Sequence, residues 1–358
     1  MRNQQLPGQR MKIERNQLIS SSINHANAST PCILRAALVV AVDSQHQFDL
    51  MPIQSIDSAL NPKPSMPIWK AWWLAARPKT LPAAIAPVIA GSAVAIHEHG
   101  FHLPAAIAAL VTALLLQIAA NFANDAIDFK KGADTAERAG PTRVTAGGIL
   151  SANAVLKATG VVLALAAVFG LYLVWRAGWP FLLLGLAAIV CAVAYTGGPF
   201  PISYLGLGEI FVFLFFGLLA VAGTAYVQTL ALTWLAVAVS VPIGALAVGI
   251  LIVNNLRDIP TDTATGKRTL AVRIGGRNTQ YQYGLMLVIA MAAPLALFFI
   301  GWLNWSWMLT VFAWPVFYRL WQAITTLTGP ALNPSLGKSG KALLIYSVLL
   351  SAALVISR

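Results

Sequence analysis

Long runs of apolar residues recur along this chain from about residue 81 to the C-terminus. A membrane-spanning helix needs roughly 20 such residues, whereas the strands of a membrane β-barrel alternate apolar and polar side chains. The runs here are too long and too evenly apolar for barrel strands, and 58% of the 358 residues are hydrophobic. The sequence therefore predicts an all-α polytopic membrane protein, a bundle of about nine transmembrane helices near residues 81–97, 102–122, 153–175, 180–195, 208–227, 230–253, 282–302, 305–325 and 341–357.

The basic residues are distributed unevenly between the two sides of this predicted bundle. A formal net charge of +12 would suit a nucleic-acid-binding protein. With the N-terminus in the cytoplasm, however, the side opposite the cytoplasm holds little more than Arg176 and Arg358. This is the positive-inside pattern of a membrane protein, so we expect no nucleic-acid partner. The predicted cytoplasmic residues are Lys70, Arg77, Lys79, Lys130, Lys131, Arg138, Arg143, Arg257, Lys267, Arg268, Arg273, Arg277, Lys338 and Lys341.

Residues 1–66 differ in composition from the rest of the chain. They are polar and rich in Ser, Asn and Gln, and their one apolar patch, residues 32–42, is too short to cross a membrane. We interpret residues 1–66 as a disordered extension or the product of a misassigned start, since Met66 precedes tryptophans suited to a membrane interface. Residues 67–358 are predicted to form the transmembrane domain.

The acidic residues of the apolar region are concentrated in two segments. Beyond residue 66 there are eight acids, and six of them lie within residues 125–137 and 258–262. The first segment places Asn121, Asp125 and Asp128 at positions i, i+4 and i+7. The second places Asn254, Asp258 and Asp262 at i, i+4 and i+8. Each set would share one helix face, although we expect Pro260 to distort the second helix so that its last aspartate projects from a turn.

Clustered carboxylates near a membrane need cationic compensation. Mg²⁺ prefers a few carboxylate oxygens and shares its remaining positions with substrate phosphates. Four aspartates and a diphosphate would carry a charge of roughly −7, which about two Mg²⁺ ions and nearby basic side chains can balance. Both segments end a span on the same predicted face, so we expect one site for diphosphate chemistry at the cytoplasmic mouth. The alternative is a pair of ordinary polar helix ends.

The residues that this prediction assigns fall into two sets. The expected metal ligands are Asp125, Asp128, Asp258, Asp262, Asn121 and Asn254. The expected substrate-binding residues near the motifs are Asn121, Lys130, Arg138, Arg143, Arg257, Lys267 and Arg268, with Lys131 also well placed in sequence.

The two motifs resemble the paired aspartate motifs of the UbiA-type intramembrane prenyltransferases. The first is Asp-x-x-Asp here, where many members have Asp-x-x-x-Asp, but its two carboxylates still share a face. The resemblance covers about residues 68–358. Four stretches resemble, more specifically, the members of this family that act on 1,4-dihydroxy-2-naphthoate. They are "ARPKTLPAAIAPVIAG" at 76–91, "DFKKGADTAERAGPTRVTAGG" at 128–148, "YTGGPFPISYLGLGEIFVFLFFG" at 195–217 and "NNLRDIPTDTATGKRTLAVRIG" at 254–275.

This resemblance implies a Mg²⁺-dependent enzyme of menaquinone biosynthesis in a bacterial inner membrane. It would transfer a polyprenyl group from an allylic diphosphate to 1,4-dihydroxy-2-naphthoate, with loss of the ring carboxylate, to give demethylmenaquinone. The four aspartates would be catalytic. Tyr195, Phe200 or Tyr204 would stabilise the allylic cation, or Tyr195 would orient the acceptor hydroxyl. Arg77 and Lys79 would bind the acceptor carboxylate.

Two other functions remain open from the sequence. One is a sister prenyltransferase with 4-hydroxybenzoate, homogentisate or haem as acceptor. The other is a cation-coupled transporter, although a transporter's buried acids would lie at mid-span in broken helices and repeated halves. The sequence predicts neither the length of the prenyl donor nor the oligomeric state.

Overall fold

The computed structural model describes residues 66–132, 140, 143–199 and 201–358, and the secondary structure of these residues is helical. The α-helices are α1 (Ile68–Ala76), α2 (Pro82–His97), α3 (Leu103–Lys130), α4 (Ala152–Ala177), α5 (Trp179–Ala194), α6 (Gly208–Thr229), α7 (Trp234–Ala264), α8 (Leu270–Ile300), α9 (Trp314–Thr326) and α10 (Asn333–Ile356). Short 3₁₀ segments cover Pro78–Thr80, Ile202–Tyr204, Trp305–Ala313 and Gly329–Leu332.

The predicted all-α membrane bundle is confirmed. Each of the nine expected spans coincides with a helical element between α2 and α10. Among the described residues, six helices are long and apolar enough to cross a membrane, and α1 with α2 forms a further candidate span bent by 52°. Helix α5 is shorter than these spans, and a 3₁₀ segment forms the first part of the eighth expected span. The count of nine is therefore approximate.

Helices α3 and α7 extend beyond the ends that the apolar pattern predicted. Helix α3 continues to Lys130 and α7 continues to Ala264, so both aspartate motifs are helical. The predicted distortion at Pro260 was wrong, because α7 passes through this residue. Proline removes only its own N–H, and beyond it the Thr265 N–H still donates to the Thr261 carbonyl at 3.1 Å. Asp262 consequently lies one helical turn after Asp258.

Helix α7 occupies the centre of the bundle. It packs against α2, α6, α8 and α10, and most of its residues are buried. Its apolar side chains join one core with residues of α8 and α10, including Ile243, Ile252, Tyr283 and Leu343. Helix α3 packs chiefly on α4. The two motif-bearing helices thus have different main packing partners, but both also contact α2 and α6.

A close backbone contact joins α6 to α7. Helix α6 contains a π-helical segment, Phe213–Leu219, and π segments widen the helical turn locally. Gly217 in this segment faces Gly244, and a β-carbon on Gly217 would lie 2.6 Å from the Gly244 α-carbon. The small residues therefore allow the two helices to approach at backbone distance.

We expect Gly217→Ala to destabilise the protein, because the new methyl group would meet backbone rather than a movable side chain. Overpacking of this kind costs about 1–3 kcal/mol, so the thermal unfolding midpoint in detergent should fall by several degrees. Gly160→Ala is the matched control, since it is also helical and has open space around the added carbon. Equal midpoints for the two variants would contradict the close contact.

Candidate active site at the ends of α3 and α7

The first aspartate motif is buried at the end of α3 and is covered by the segment that precedes α4. The Asp125 carboxylate accepts hydrogen bonds from the Thr145 hydroxyl at 2.6 Å and from the Val144 N–H at 3.2 Å. The Arg143 guanidinium forms an ion pair with Asp128 at 2.7 Å, and Arg143 is itself buried. The structure therefore brings Arg143 directly to the first motif, as expected from its place in sequence.

Asn121 links this motif to the bend between α1 and α2. Its amide nitrogen donates to the Ala76 carbonyl at 2.9 Å and to the Thr80 hydroxyl at 3.0 Å. Arg77 lies at this bend in a left-handed conformation, with φ at 51°, and is half-buried. Lys79 is exposed on the same segment. The two residues assigned to the acceptor carboxylate thus lie on a bend that is hydrogen-bonded to the first motif.

The second motif on α7 surrounds a buried arginine. Arg257 is 1% exposed and binds both oxygens of Asp258, at 2.7 Å and 2.6 Å. It also donates to the side-chain oxygens of Asn254 at 2.7 Å and Asn333 at 3.0 Å. From the sequence, Arg257 was expected to bind the diphosphate and Asn254 to bind a metal ion. In the structure these two side chains also bind each other, and both assignments stay predictions.

Two loops, one following each motif, meet around the ring of Tyr204. The ammonium groups of Lys131 and Lys267 lie 5.5 Å and 5.8 Å from the ring centroid, within range of cation–π attraction. Lys267 also forms an ion pair with Asp262 at 3.5 Å. The segment containing Tyr204 therefore joins the end of α3 to the end of α7.

Tyr195 lies between the two motifs. Carboxylates from both motifs, Asp128 and Asp262, lie near its hydroxyl, as does that of Glu209. The two motifs, which are far apart in sequence, consequently share one region of the fold at the same end of the bundle.

The remaining predicted substrate-binding residues are more peripheral. Lys130 is exposed at the last position of α3. Arg268 is exposed, and its backbone carbonyl accepts a hydrogen bond from Arg273 at 3.0 Å. Arg138 and Phe200 lie outside the described residues.

Two further polar residues lie beside the predicted site residues. Asn124, which the sequence did not single out, accepts a hydrogen bond from the Thr196 hydroxyl at 2.9 Å and another, on its backbone carbonyl, from Arg143 at 2.6 Å. Glu209 accepts one from Asn255 at 3.0 Å. The sequence leaves Glu209 open between a helix-capping role and a site role, because it lies at the start of a predicted span on the same side as both motifs.

An apolar cavity of about 430 Å³ extends from this region into the bundle. Its walls are formed mainly by α3, α4, α5 and α6, and its lining includes Asn121, Asn124 and Tyr195. The exposed side chains of Leu171, Leu182 and Leu186 also line it, so the cavity reaches the outer face of the bundle between α4 and α5. Such a cavity suits a hydrocarbon chain attached to a polar head group.

The donor set of the site fits Mg²⁺. Four buried carboxylates supply hard oxygen ligands, which this ion prefers. In the described part of the chain, no three acidic, histidine or cysteine side chains converge as a closed metal cage. An open arrangement suits Mg²⁺, which usually takes one or two protein carboxylates and completes its shell with water and substrate phosphates.

Buried aspartates from two helices, beside an apolar cavity that reaches the lipid-facing surface, define a membrane enzyme for lipids with a polar head group. The chain belongs to the UbiA prenyltransferase family, whose sequence profile matches residues 84–356. It is 38% identical over 288 residues to 1,4-dihydroxy-2-naphthoate octaprenyltransferase of Mycobacterium leprae, with 80% of this chain and 96% of that protein covered. The Escherichia coli enzyme of the same name is 36% identical over 298 residues, with 81% and 96% covered.

Solved structures share the fold at much lower sequence identity. A UbiA homologue from Aeropyrum pernix in its apo form superposes with a TM-score of 0.60 at 15% identity, covering 76% of this chain and 97% of that one. A UbiA homologue from Archaeoglobus fulgidus bound to GPP and Mg²⁺ gives 0.55 at 14% identity, covering 79% and 99%. These structures support the fold, and the family predicted from the aspartate motifs is confirmed by the profile and by the relatives of 36–38% identity.

Proposed function

We propose that this protein is a prenyltransferase that joins a polyprenyl group from an allylic polyprenyl diphosphate to 1,4-dihydroxy-2-naphthoate. The ring carboxylate is lost as CO₂, and the product is demethylmenaquinone in its hydroquinone form. The observation that carries this proposal is the meeting of two buried aspartate motifs beside an apolar cavity. The substrate assignment follows relatives of 36–38% identity that match over 96% of their own length.

Asp125, Asp128, Asp258 and Asp262 would hold Mg²⁺ together with the diphosphate, and the amide oxygens of Asn121 and Asn254 would complete the site. When bound, the ion neutralises negative charge that develops on the leaving diphosphate. Lys131, Lys267 and Arg143 bind phosphate oxygens that the metal does not take. Lys130 and Arg268 would bind the same phosphates, and Arg138, which lies outside the described residues, is given this role from its place in the sequence.

The cavity would hold the first isoprene units of the donor. A volume of about 430 Å³ lies in the lower part of the range for pockets that enclose drug-sized ligands. A long polyprenyl chain therefore continues past the exposed leucines between α4 and α5 into the lipid. The apolar walls exclude water, which would otherwise capture the allylic cation. Tyr195 lines the cavity beside both motifs and is placed to stabilise that cation with its ring.

The protein is an integral membrane protein, and we propose the bacterial inner membrane with the active-site loops in the cytoplasm. The support is the positive-inside pattern of the basic residues. We further propose that residues 67–358 form the catalytic domain and that residues 1–66 are an extension outside it. The family profile begins within this domain, at residue 84.

The function is tested with purified protein in detergent, Mg²⁺ and polyprenyl diphosphates of several lengths. The acceptors are 1,4-dihydroxy-2-naphthoate, 4-hydroxybenzoate and homogentisate, and mass spectrometry identifies the products. We expect a decarboxylated prenyl-naphthohydroquinone from the first acceptor and a requirement for Mg²⁺. Prenylation of 4-hydroxybenzoate or homogentisate in preference to the naphthoate would contradict the proposal.

Substitutions on the two sides of the site should separate acceptor binding from diphosphate binding. Arg77→Leu should raise the KM for the naphthoate about 10-fold with a smaller effect on the diphosphate, because a charge-assisted hydrogen bond to a carboxylate is removed. Lys267→Leu should have the reverse effect, since Lys267 follows the second motif. Steady-state kinetics with each substrate varied in turn measures the KM for the naphthoate and the KM for the diphosphate. If Arg77→Leu instead weakens binding of the diphosphate and leaves binding of the naphthoate unchanged, the α1–α2 bend contributes to the metal and phosphate site and not to the acceptor site.

A further inference from the structure

Glu209 is a buried carboxylate beside the candidate active site, and it has no role in the reaction proposed above. It lies in the first turn of α6 and is 7% exposed. Its Oε1 atom accepts a hydrogen bond from the Asn255 amide at 3.0 Å. Its Oε2 atom is also buried and receives no hydrogen bond from the described residues. A buried carboxylate oxygen without a donor is costly, so a donor from outside the described chain would stabilise it.

The surroundings of Glu209 connect it to the cavity. The Glu209 carboxylate lies near the hydroxyl of Tyr195, and Tyr195 lines the cavity. A β-carbon on the preceding residue, Gly208, would lie 3.0 Å from that hydroxyl. Val212, three residues further along α6 and on the same helix face as Glu209, also lines the cavity. The carboxylate is therefore next to the space where the acceptor ring must meet the prenyl group.

Two kinds of ligand could satisfy Oε2 of Glu209, a metal ion or a hydrogen-bond donor. In the described part of the chain, Glu209 forms no ion pair, and its hydrogen-bond partner Asn255 is neutral. The diphosphate offers only acceptor oxygens when ionised, whereas the aromatic acceptor of the proposed reaction carries two ring hydroxyls. The chemistry therefore favours a hydroxyl donor.

We propose that Glu209 is an acceptor-binding residue whose Oε2 accepts a hydrogen bond from a ring hydroxyl of the dihydroxynaphthoate, with Asn255 holding the carboxylate in position. This inference rests on the proposed function. In this position Glu209 can also accept the proton of that hydroxyl during the reaction. As the ring carbon bearing the carboxylate bonds to the allylic carbon, the carbon–oxygen bond to the diphosphate breaks and its electron pair leaves with the diphosphate.

The hydroxyl adjacent to that ring carbon becomes a carbonyl, and its proton passes to Glu209. When the carboxylate departs as CO₂, the electron pair of the broken carbon–carbon bond restores the aromatic ring. The carbonyl oxygen then takes the proton back from Glu209. The overall reaction therefore releases diphosphate and CO₂ without net consumption or release of a proton at Glu209.

The test compares binding of 1,4-dihydroxy-2-naphthoate with binding of 2-naphthoate, which lacks both hydroxyls, to the full chain in detergent. Glu209→Gln keeps the side-chain shape and the bond from Asn255, but it can replace the acceptor atom Oε2 with an NH₂ donor. We expect the native protein to prefer the dihydroxy compound about 10-fold or more, and the variant to lose most of this preference. Binding of 2-naphthoate should change little.

Glu98→Gln is the matched control, because Glu98 also has a buried carboxylate oxygen that accepts no hydrogen bond from the described residues, but it follows α2, at the opposite end of that helix from the bend that contacts Asn121. It should keep the native preference. An unchanged preference in Glu209→Gln would overturn the proposal, as would an equal loss of affinity for both naphthoates or a selective rise in the KM for the diphosphate or Mg²⁺. Failure of the native protein to prenylate the naphthoate would instead contradict the proposed function.

Discussion

Asp125→Asn and Asp262→Asn should each lower the rate of prenyl transfer by about 100- to 1000-fold, the size of effect seen when one stabilising group for developing charge is removed. Asparagine keeps the shape of the side chain and loses the charge that would bind Mg²⁺. Of the four aspartate substitutions, these two should disturb folding least, because the buried Arg143 and Arg257 pair with Asp128 and Asp258 and not with Asp125 or Asp262. Turnover is measured with saturating naphthoate and a range of Mg²⁺ concentrations.

Asp128→Asn and Asp258→Asn should also lose activity, but with a larger loss of stability. The thermal unfolding midpoint in detergent separates the two effects for all four variants. Near-normal turnover in any two of them, with the protein folded, would rule out a site built from both motifs.

Arg257→Met should destabilise the protein by about 3–5 kcal/mol, because it leaves the buried Asp258 carboxylate without its bidentate cation. The guanidinium is 1% exposed and binds three other side chains on α7 and at the start of α10. The thermal unfolding midpoint in detergent should fall by many degrees. The double variant Arg257→Met with Asp258→Asn should recover part of the loss, since no charge is then left buried at this pair.

Arg268→Met is the control for this prediction, because Arg268 is basic, follows the same motif and is exposed. It should leave the unfolding midpoint unchanged. A stable Arg257→Met protein whose only defect is a raised KM for the polyprenyl diphosphate would contradict this structural role and support the sequence-based assignment of Arg257 to the phosphates.

The aspartate motifs and the membrane bundle could be predicted from the sequence because both depend on local patterns. Apolar runs of spanning length and carboxylates at helical spacing are visible without knowledge of tertiary contacts. The contacts of Arg257 were not predictable in this way, since one of its partners, Asn333, is 76 residues away. The same holds for Glu209, whose partner Asn255 is 46 residues away.

Pro260 shows a different limit of sequence reasoning. A proline within a polar helix end favours a break, because its ring removes one hydrogen bond and crowds the preceding turn. Here the rest of α7 is held in the centre of the bundle by four neighbouring helices, and the helix continues to Ala264. Tertiary packing outweighed the local preference, and this kept Asp262 on the same face as Asp258.

The position of Tyr204 between Lys131 and Lys267 has an electrostatic consequence. An aromatic ring attracts an ammonium group without neutralising it, whereas a carboxylate partner cancels its field at a distance. Lys267 is also paired with Asp262, whereas Lys131 meets the Tyr204 ring and the neutral Thr196 carbonyl. Lys131 thus contributes to a positive potential at the mouth of the enzyme before any substrate arrives. Such a potential draws an anionic head group toward the site along the membrane surface, and its range contracts from about 30 Å at 0.01 M salt to about 8 Å at 0.15 M. Capture of the donor therefore becomes slower as ionic strength rises, even though its hydrocarbon chain remains dissolved in the lipid.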